Sequence, residues 1–144
     1  MASPHRQRHW QALRQRWAGE PYWRLLGVDV EEVAQGYVRL RLPLQQRLCN
    51  RNGPVHGGAI ASLVDIAAMA ALDSALDFSE PDLLGHSTIE PGVSFLEAAQ
   101  GAALAEARII RLGGTIAVCD VDVRDEGGGL LAKGRATFML FRRR

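Results

Sequence analysis

The stretch from Pro54 to Leu76, PVHGGAIASLVDIAAMAALDSAL, is the longest apolar segment of the chain and the one place where hydrophobic spacing is unmistakably helical. Ile60, Leu63, Val64, Ala67, Ala68, Ala71, Leu72, Ala75 and Leu76 recur at i, i+3, i+4 and i+7, the stripe of an amphipathic helix. The opposite face is hardly more polar, since it carries Ala59, Ala61, Ile66, Met69 and Ala70. A helix of about 33 Å, at 1.5 Å per residue, that is apolar around most of its girth must be covered on more than one side. The rest of the chain therefore has to wrap it. One carboxylate, Asp65, interrupts the apolar surface.

The remaining sequence supplies strands for the wrapping. After Gly27 the pattern changes to period two, with Val28 and Val30 before a Gln35-Gly36 turn and then Val38, Leu40, Leu42 and Leu44, which predicts a half-buried hairpin. Residues 45–54 read as loop, ending in the turn signal Asn52-Gly53-Pro54. Another loop is expected from Asp77 to His86. Four strands follow: Ser87–Leu96, Ala102–Leu112, Thr115–Arg124 and Leu130–Phe141, separated by Gln100-Gly101, Gly113-Gly114 and Gly127-Gly128-Gly129. Upstream, Ser3 as N-cap and Pro4 at the first helical position, with Trp10, Leu13 and Trp17 at helical spacing, predict a short helix to about Trp17, ended by Gly19 and Pro21. Its other face carries His5, Arg6, Arg8, Arg14 and Arg16, a basic run that reads first as a solvated face and second as a contact for phosphates or a membrane surface. The fold class is α+β, one antiparallel sheet curled around a long central helix with an extra N-terminal helix, in a single domain over 1–144 of which 1–20 is the helical extension.

Several function classes are excluded on composition. A net charge of +1 over 144 residues gives no bulk signal for nucleic acid or for an acidic partner. Two cysteines, Cys49 and Cys119, form no disulfide framework or metal spacing, and the four histidines are scattered at 5, 9, 56 and 86. No metal site and no cofactor is expected. There is no nucleophile elbow of the G-x-S-x-G type. Gly57, Gly58, Asp65 and the alanine content argue against a membrane span. With no signal-peptide pattern at the start, a soluble, reduced, cytoplasmic protein is the expectation.

Chemistry is expected where the sequence departs from good packing. An ionised carboxylate on an apolar helix must find a partner, take up a proton or sit in a wet cavity, because burial disfavours the charged form. Asp65 either pairs with an arginine at an interface or bonds a nearby backbone donor, or it is functional. The start of the same helix favours function: His56-Gly57-Gly58 sets a polar side chain and two residues without Cβ at a helix N-terminus. There, unpaired N–H groups and the positive dipole end can meet developing negative charge at close range. Along one straight helix, however, His56 and Asp65 are about 13 Å apart. One chain cannot bring both to one reacting atom, whereas two copies with antiparallel helices about a two-fold axis would build two composite sites.

At these residues the chain resembles the hot-dog-fold thioesterases of the phenylacetic-acid-degradation (PaaI-like) type. The resemblance runs from about Leu26 to Phe138 and is carried by Asn50, by Gly53 with Val55-His56-Gly57-Gly58, by Leu63 and Asp65, by Thr88, by Val93-Ser94-Phe95 with Ala98, by Gly113-Gly114 and by Gly129 to Gly134. It implies a sheet wrapped around the helix, homodimers with sites at the interface, often paired into tetramers, and acyl-coenzyme A as substrate. It assigns Asp65 as nucleophile or as the general base that activates water, and the Gly57 N–H as oxyanion donor. Asn50 and His56 would position the carbonyl or the water, while Gly58 and Thr88 would contact substrate. Gly114 departs from the pattern, standing where many relatives carry a basic residue; Arg108 or Arg111 would have to replace that contact to the nucleotide. Glu90, beside Pro91, reads as a surface charge or as a second carboxylate near the acyl pocket. The non-enzymatic alternative is an acyl-coenzyme A binding or sensor module on the same fold, against which Asp65 and the lack of any DNA-binding segment argue.

Overall fold

The computed structural model describes residues 1–144. Helix α1, Pro4–Ala18, starts as the sequence requires: the Ser3 hydroxyl accepts from the Arg6 N–H and proline occupies the first turn. A second helix, α2 over Pro21–Leu26, corrects the expectation that Pro21 only terminates. Proline at the first turn loses no hydrogen bond, so it starts the helix, which Gly27 ends with φ of 74°. Strands β1, Asp29–Ala34, and β2, Tyr37–Leu42, make the expected hairpin, with Gly36 supplying φ of 66° at the turn. One 3-10 turn, Gln46–Leu48, interrupts the following loop. Helix α3 then spans Gly57–Ala75, with His56 as its N-cap, at the N-terminus expected from the sequence.

The remaining strands are β3, Leu83–Phe95; β4, Ala103–Leu112; β5, Ile116–Arg124; and β6, Leu130–Arg142. Strand β3 begins four residues before the expected Ser87, because Leu83, Gly85 and His86 already pair with Arg142, Phe141 and Leu140 of β6. A bulge at Leu83/Gly85, where Gly85 takes φ of 143°, hides that start from a period-two reading. All pairings are antiparallel, in the order β1-β2-β4-β5-β6-β3. Chain order is therefore not sheet order: α3 crosses between β2 and β3 and sends β3 to the far edge, while β4 returns to β2.

The sheet curls because its inner face is built from small residues where it lies closest to α3. Ala103, Ala105 and Ala107 on β4, Ala117 on β5, and Ala132 and Ala136 on β6 are fully buried, flanked by the larger Val38, Leu40, Leu42, Val121, Val123 and Phe138. Against them lie Leu63, Val64, Ala67, Ala68, Ala71 and Leu72 of α3, also buried. Length and apolarity would let α3 cross a membrane, but it is the core of this domain. Only the side carrying Ala61, Ser62, Asp65 and Met69 is partly open.

One contact sets how close helix and sheet come. A Cβ at Gly134 on β6 would overlap the Val64 side chain and press on the Gly92 carbonyl. Gly134→Ala is therefore expected to destabilise the fold by about 1–3 kcal/mol, the usual cost of overpacking, read as a lowered midpoint in thermal or urea denaturation.

The outer face is a ladder of alternating charges. Lys133 reaches both Asp120 and Asp122 at 2.6 Å, Arg124 reaches Asp122 at 3.3 Å, and Arg39 reaches Glu31 at 2.9 Å. The Lys133 ammonium hydrogen-bonds Asp122 and holds that carboxyl below the usual range. Pairs this exposed add little stability but fix register across the strands.

Candidate active site

The loop before α3 is tied down from both sides. Val55 donates to the Ala99 carbonyl at 2.9 Å, His56 to Leu48 at 2.7 Å and Asn50 to Pro54 at 2.7 Å, so Asn50 and His56 are delivered by a braced turn. The His56 ring then folds back, and its Nδ1 accepts the Gly58 N–H at 2.7 Å. With Nδ1 accepting, a neutral ring carries its proton on Nε2. Of the first N–H groups of α3, that of Gly58 is capped and that of Gly57 has no partner in the chain. A Cβ at Gly57 would touch the Phe95 ring at 3.4 Å, so a side chain here would lie against the wall of the site. An open cleft of about 390 Å³ reaches it, walled by Asn50, Ile60, Phe95, Glu97 and Leu131.

Asp65 lies elsewhere. Half-buried on the partly open side of α3, it accepts a hydrogen bond at Oδ1 from the Thr88 hydroxyl at 2.8 Å, and its Oδ2 has no partner within the chain. Within the chain, neither an arginine nor a backbone donor pairs with it. Eight residues separate it from Gly57, about 12 Å along the axis. The chain thus brings Asn50, His56, Gly57 and Gly58 together, brings Thr88 to Asp65, and keeps the two groups apart. Glu90 is exposed, at a bulge of β3 opposite Thr137. Arg108 is held over the Tyr37 ring at 4.4 Å, and Arg111 is exposed.

A second carboxylate on α3 escaped the sequence reading. Asp73 is 1% exposed; its Oδ2 accepts from Arg16 Nη2 and from the indole N–H of Trp17, both at 3.1 Å, and its Oδ1 lies 2.6 Å from His86 Nε2. The Trp10 indole donates to the neighbouring Ser74 carbonyl at 3.0 Å. Trp17 stacks on Trp23 and His86 stands edge-on to Phe138. Arg16 remains half exposed on the solvated basic face while one of its nitrogens reaches this carboxylate, and Arg14 donates to the Val30 carbonyl. The cluster docks α1 on the end of α3 and satisfies a carboxylate that would otherwise be costly to bury. His86 and Thr88, two residues apart on β3, thus meet Asp73 and Asp65, two turns apart on α3. No group of three histidine, cysteine or carboxylate side chains is arranged to hold a metal. Burial pushes the Cys119 thiol up to about 12, which makes it inert.

A helix wrapped by an antiparallel sheet, with a bare N–H at the helix start and a carboxylate at its middle, defines a hot-dog-fold protein. Comparison with known proteins narrows this. Residues 52–132 match the family model of the thioesterase superfamily. A Halobacterium salinarum protein provisionally named an esterase is 37% identical over 126 residues, spanning 81% of this chain and 82% of its own. The medium/long-chain acyl-CoA thioesterase YigI of Escherichia coli is 28% identical over 132 residues, spanning 83% and 85%. The solved structure of the E. coli PaaI protein from the phenylacetic acid degradation operon superimposes with a TM-score of 0.83 over 97% of this chain and 96% of that one, at 19% identity. The chain belongs to the thioesterase superfamily, with the fold of the PaaI structure, and is a thioester hydrolase.

Proposed function

We propose that the protein hydrolyses acyl-coenzyme A to the free acid and coenzyme A, at sites completed between two copies of the chain. The observation that carries this reading is the division of the machinery: an uncommitted Gly57 N–H beside Asn50 in one cleft, and an Asp65 oxygen without a partner about 12 Å further along the same helix. In a two-fold pair with antiparallel α3 helices, the partly open side carrying Asp65 of one copy faces the α3 start of the other. The long outer edge of β3, Leu83–Phe95, has no strand beside it and is available for the same pairing. Pairing of two such dimers into a tetramer belongs to the same proposal, and sedimentation reads it.

The reaction follows from the groups. The thioester oxygen accepts from the Gly57 N–H, which strengthens its hold as the carbonyl becomes an oxyanion. Asp65 either takes a proton from water as it attacks, or attacks itself and is released by water in a second step. Thr88, donating to Oδ1, turns Oδ2 toward the substrate. Asn50 and the Nε2–H of His56 hold the carbonyl or the water. Collapse of the tetrahedral species expels the thiolate, which leaves as coenzyme A once protonated. Incubation with short, medium, long and aryl acyl-coenzyme A thioesters should release free thiol above the constant background from the partly exposed Cys49. No release with any of them would overturn the proposal.

A further inference from the structure

Two clefts meet at the first turn of α3. One is the cleft at Gly57 already described. The other, of about 440 Å³, reaches His56 and Gly58 and is walled by Tyr22, Leu25 and Leu26 of α2, with Leu48, Cys49 and Ala59. Their chemistry differs. In the first, the Asn50 amide and the Glu97 carboxylate have no side-chain partner in the chain, so they are free for a polar ligand. In the second, most polar atoms are already engaged: the Tyr22 hydroxyl lies 2.6 Å from Ser62 Oγ, Ser62 donates to the Gly58 carbonyl, the Cys49 thiol donates to the Gln45 carbonyl, Arg47 Nε donates to the Gln45 amide oxygen, and His56 Nδ1 holds the Gly58 N–H. The outer nitrogens of Arg47, at the rim, and His56 Nε2, at the turn where the thioester carbonyl sits, stay free; the rest of the wall is apolar. Leu25 and Tyr22 keep 57% and 50% of their surface open at this wall, with nothing in the chain to cover them.

We infer that this second cleft receives the acyl chain of the thioester, and that the chain is linear and aliphatic. The inference rests on the proposed hydrolysis of acyl-coenzyme A. A thioester whose carbonyl oxygen meets the Gly57 N–H sends one arm to either side of that turn. The pantetheine arm carries amides and suits the cleft with Asn50 and Glu97. The acyl arm carries methylenes and suits the cleft under α2, where apolar surface removed from water stabilises the complex. At about 30 Å³ for a water-sized group, 440 Å³ admits about a dozen methylenes. Leu25 and Tyr22, in an element upstream of the family motif, then set chain-length preference.

The test compares kcat/KM for dodecanoyl-coenzyme A and butanoyl-coenzyme A. Leu25→Trp, a change at an exposed position that the fold tolerates, fills the cleft and should lower the dodecanoyl-to-butanoyl ratio about tenfold or more. Ile110→Trp, an equal enlargement at an exposed position on β4, should leave the ratio unchanged. A second measurement needs no turnover: in the Asp65→Asn chain, dodecanoyl-coenzyme A should slow alkylation of Cys49 by a maleimide several-fold, and butanoyl-coenzyme A should not. If wild type hydrolyses acyl-coenzyme A and either readout stands still, the acyl chain lies elsewhere and the inference is overturned. If wild type hydrolyses no acyl-coenzyme A, it is the proposed substrate class that fails, a result distinct from the first.

Discussion

Asp65→Asn should lower kcat by about 10²–10⁴-fold, the usual weight of a positioned base or nucleophile, with KM and fold nearly unchanged. The amide is close to isosteric with the carboxylate, and its oxygen can still accept from the Thr88 hydroxyl that sits 2.8 Å from Oδ1. It can neither take a proton from water nor attack a thioester. Removing a half-buried charge relieves a desolvation cost, so the variant should melt no lower than wild type. Steady-state thiol release together with a thermal melt separates the outcomes. A kcat within twofold of wild type would leave Asp65 as a hydrogen-bond partner for Thr88 and nothing more.

The second large effect is complementation between two dead chains. One carries Asn50→Ala with His56→Ala and the other Asp65→Asn. Each homodimer has two defective sites. In a heterodimer, one interface collects every defect and the other joins an intact Asp65 to an intact Asn50, His56 and Gly57. Random exchange makes half of the dimers heterodimers, so an equimolar mixture should recover about a quarter of wild-type activity if sites act independently. The reason lies in the helix: about 12 Å between Gly57 and Asp65 against the hydrogen-bond reach of about 3 Å that catalysis needs. Silence after exchange has been demonstrated by native mass spectrometry would mean that each chain completes its own site.

The central helix was legible because its apolar residues repeat so regularly that only a wrapped helix can bury them, and Asp65 was legible as the break in that repeat. The sheet order was not, because pairing β3 with β6 and β4 with β2 is a long-range choice that local alternation does not encode. Helix α2 was missed since six residues give too little periodicity, and Pro21 signals a stop as readily as a start. Asp73 was missed although it is more deeply buried than Asp65. It stands in the last turn of α3, near Asp77, where charge usually marks the exit of a helix. The signal that could have found it lay far away, in Trp17 on α1: an indole N–H on the buried face of a helix needs an acceptor. The Thr88 contact came from family resemblance, since composition alone made it one more strand threonine.

The Asp73 cluster also separates two boundaries that are easily taken for one. The family model begins at residue 52, yet two of the three side chains that hold Asp73 come from residues 16 and 17. A polypeptide cut at that edge would keep His56, Gly57 and Asp65 but lose Asn50, the β1–β2 hairpin and the hydrogen-bond donors beneath the helix. A carboxylate with 1% of its surface exposed would face the gap left by Trp17, with His86 as its remaining partner. The span of the family model is therefore smaller than the unit that satisfies its own buried charge, because the α1 donors to Asp73 lie upstream of it, together with the β1–β2 hairpin that completes the core.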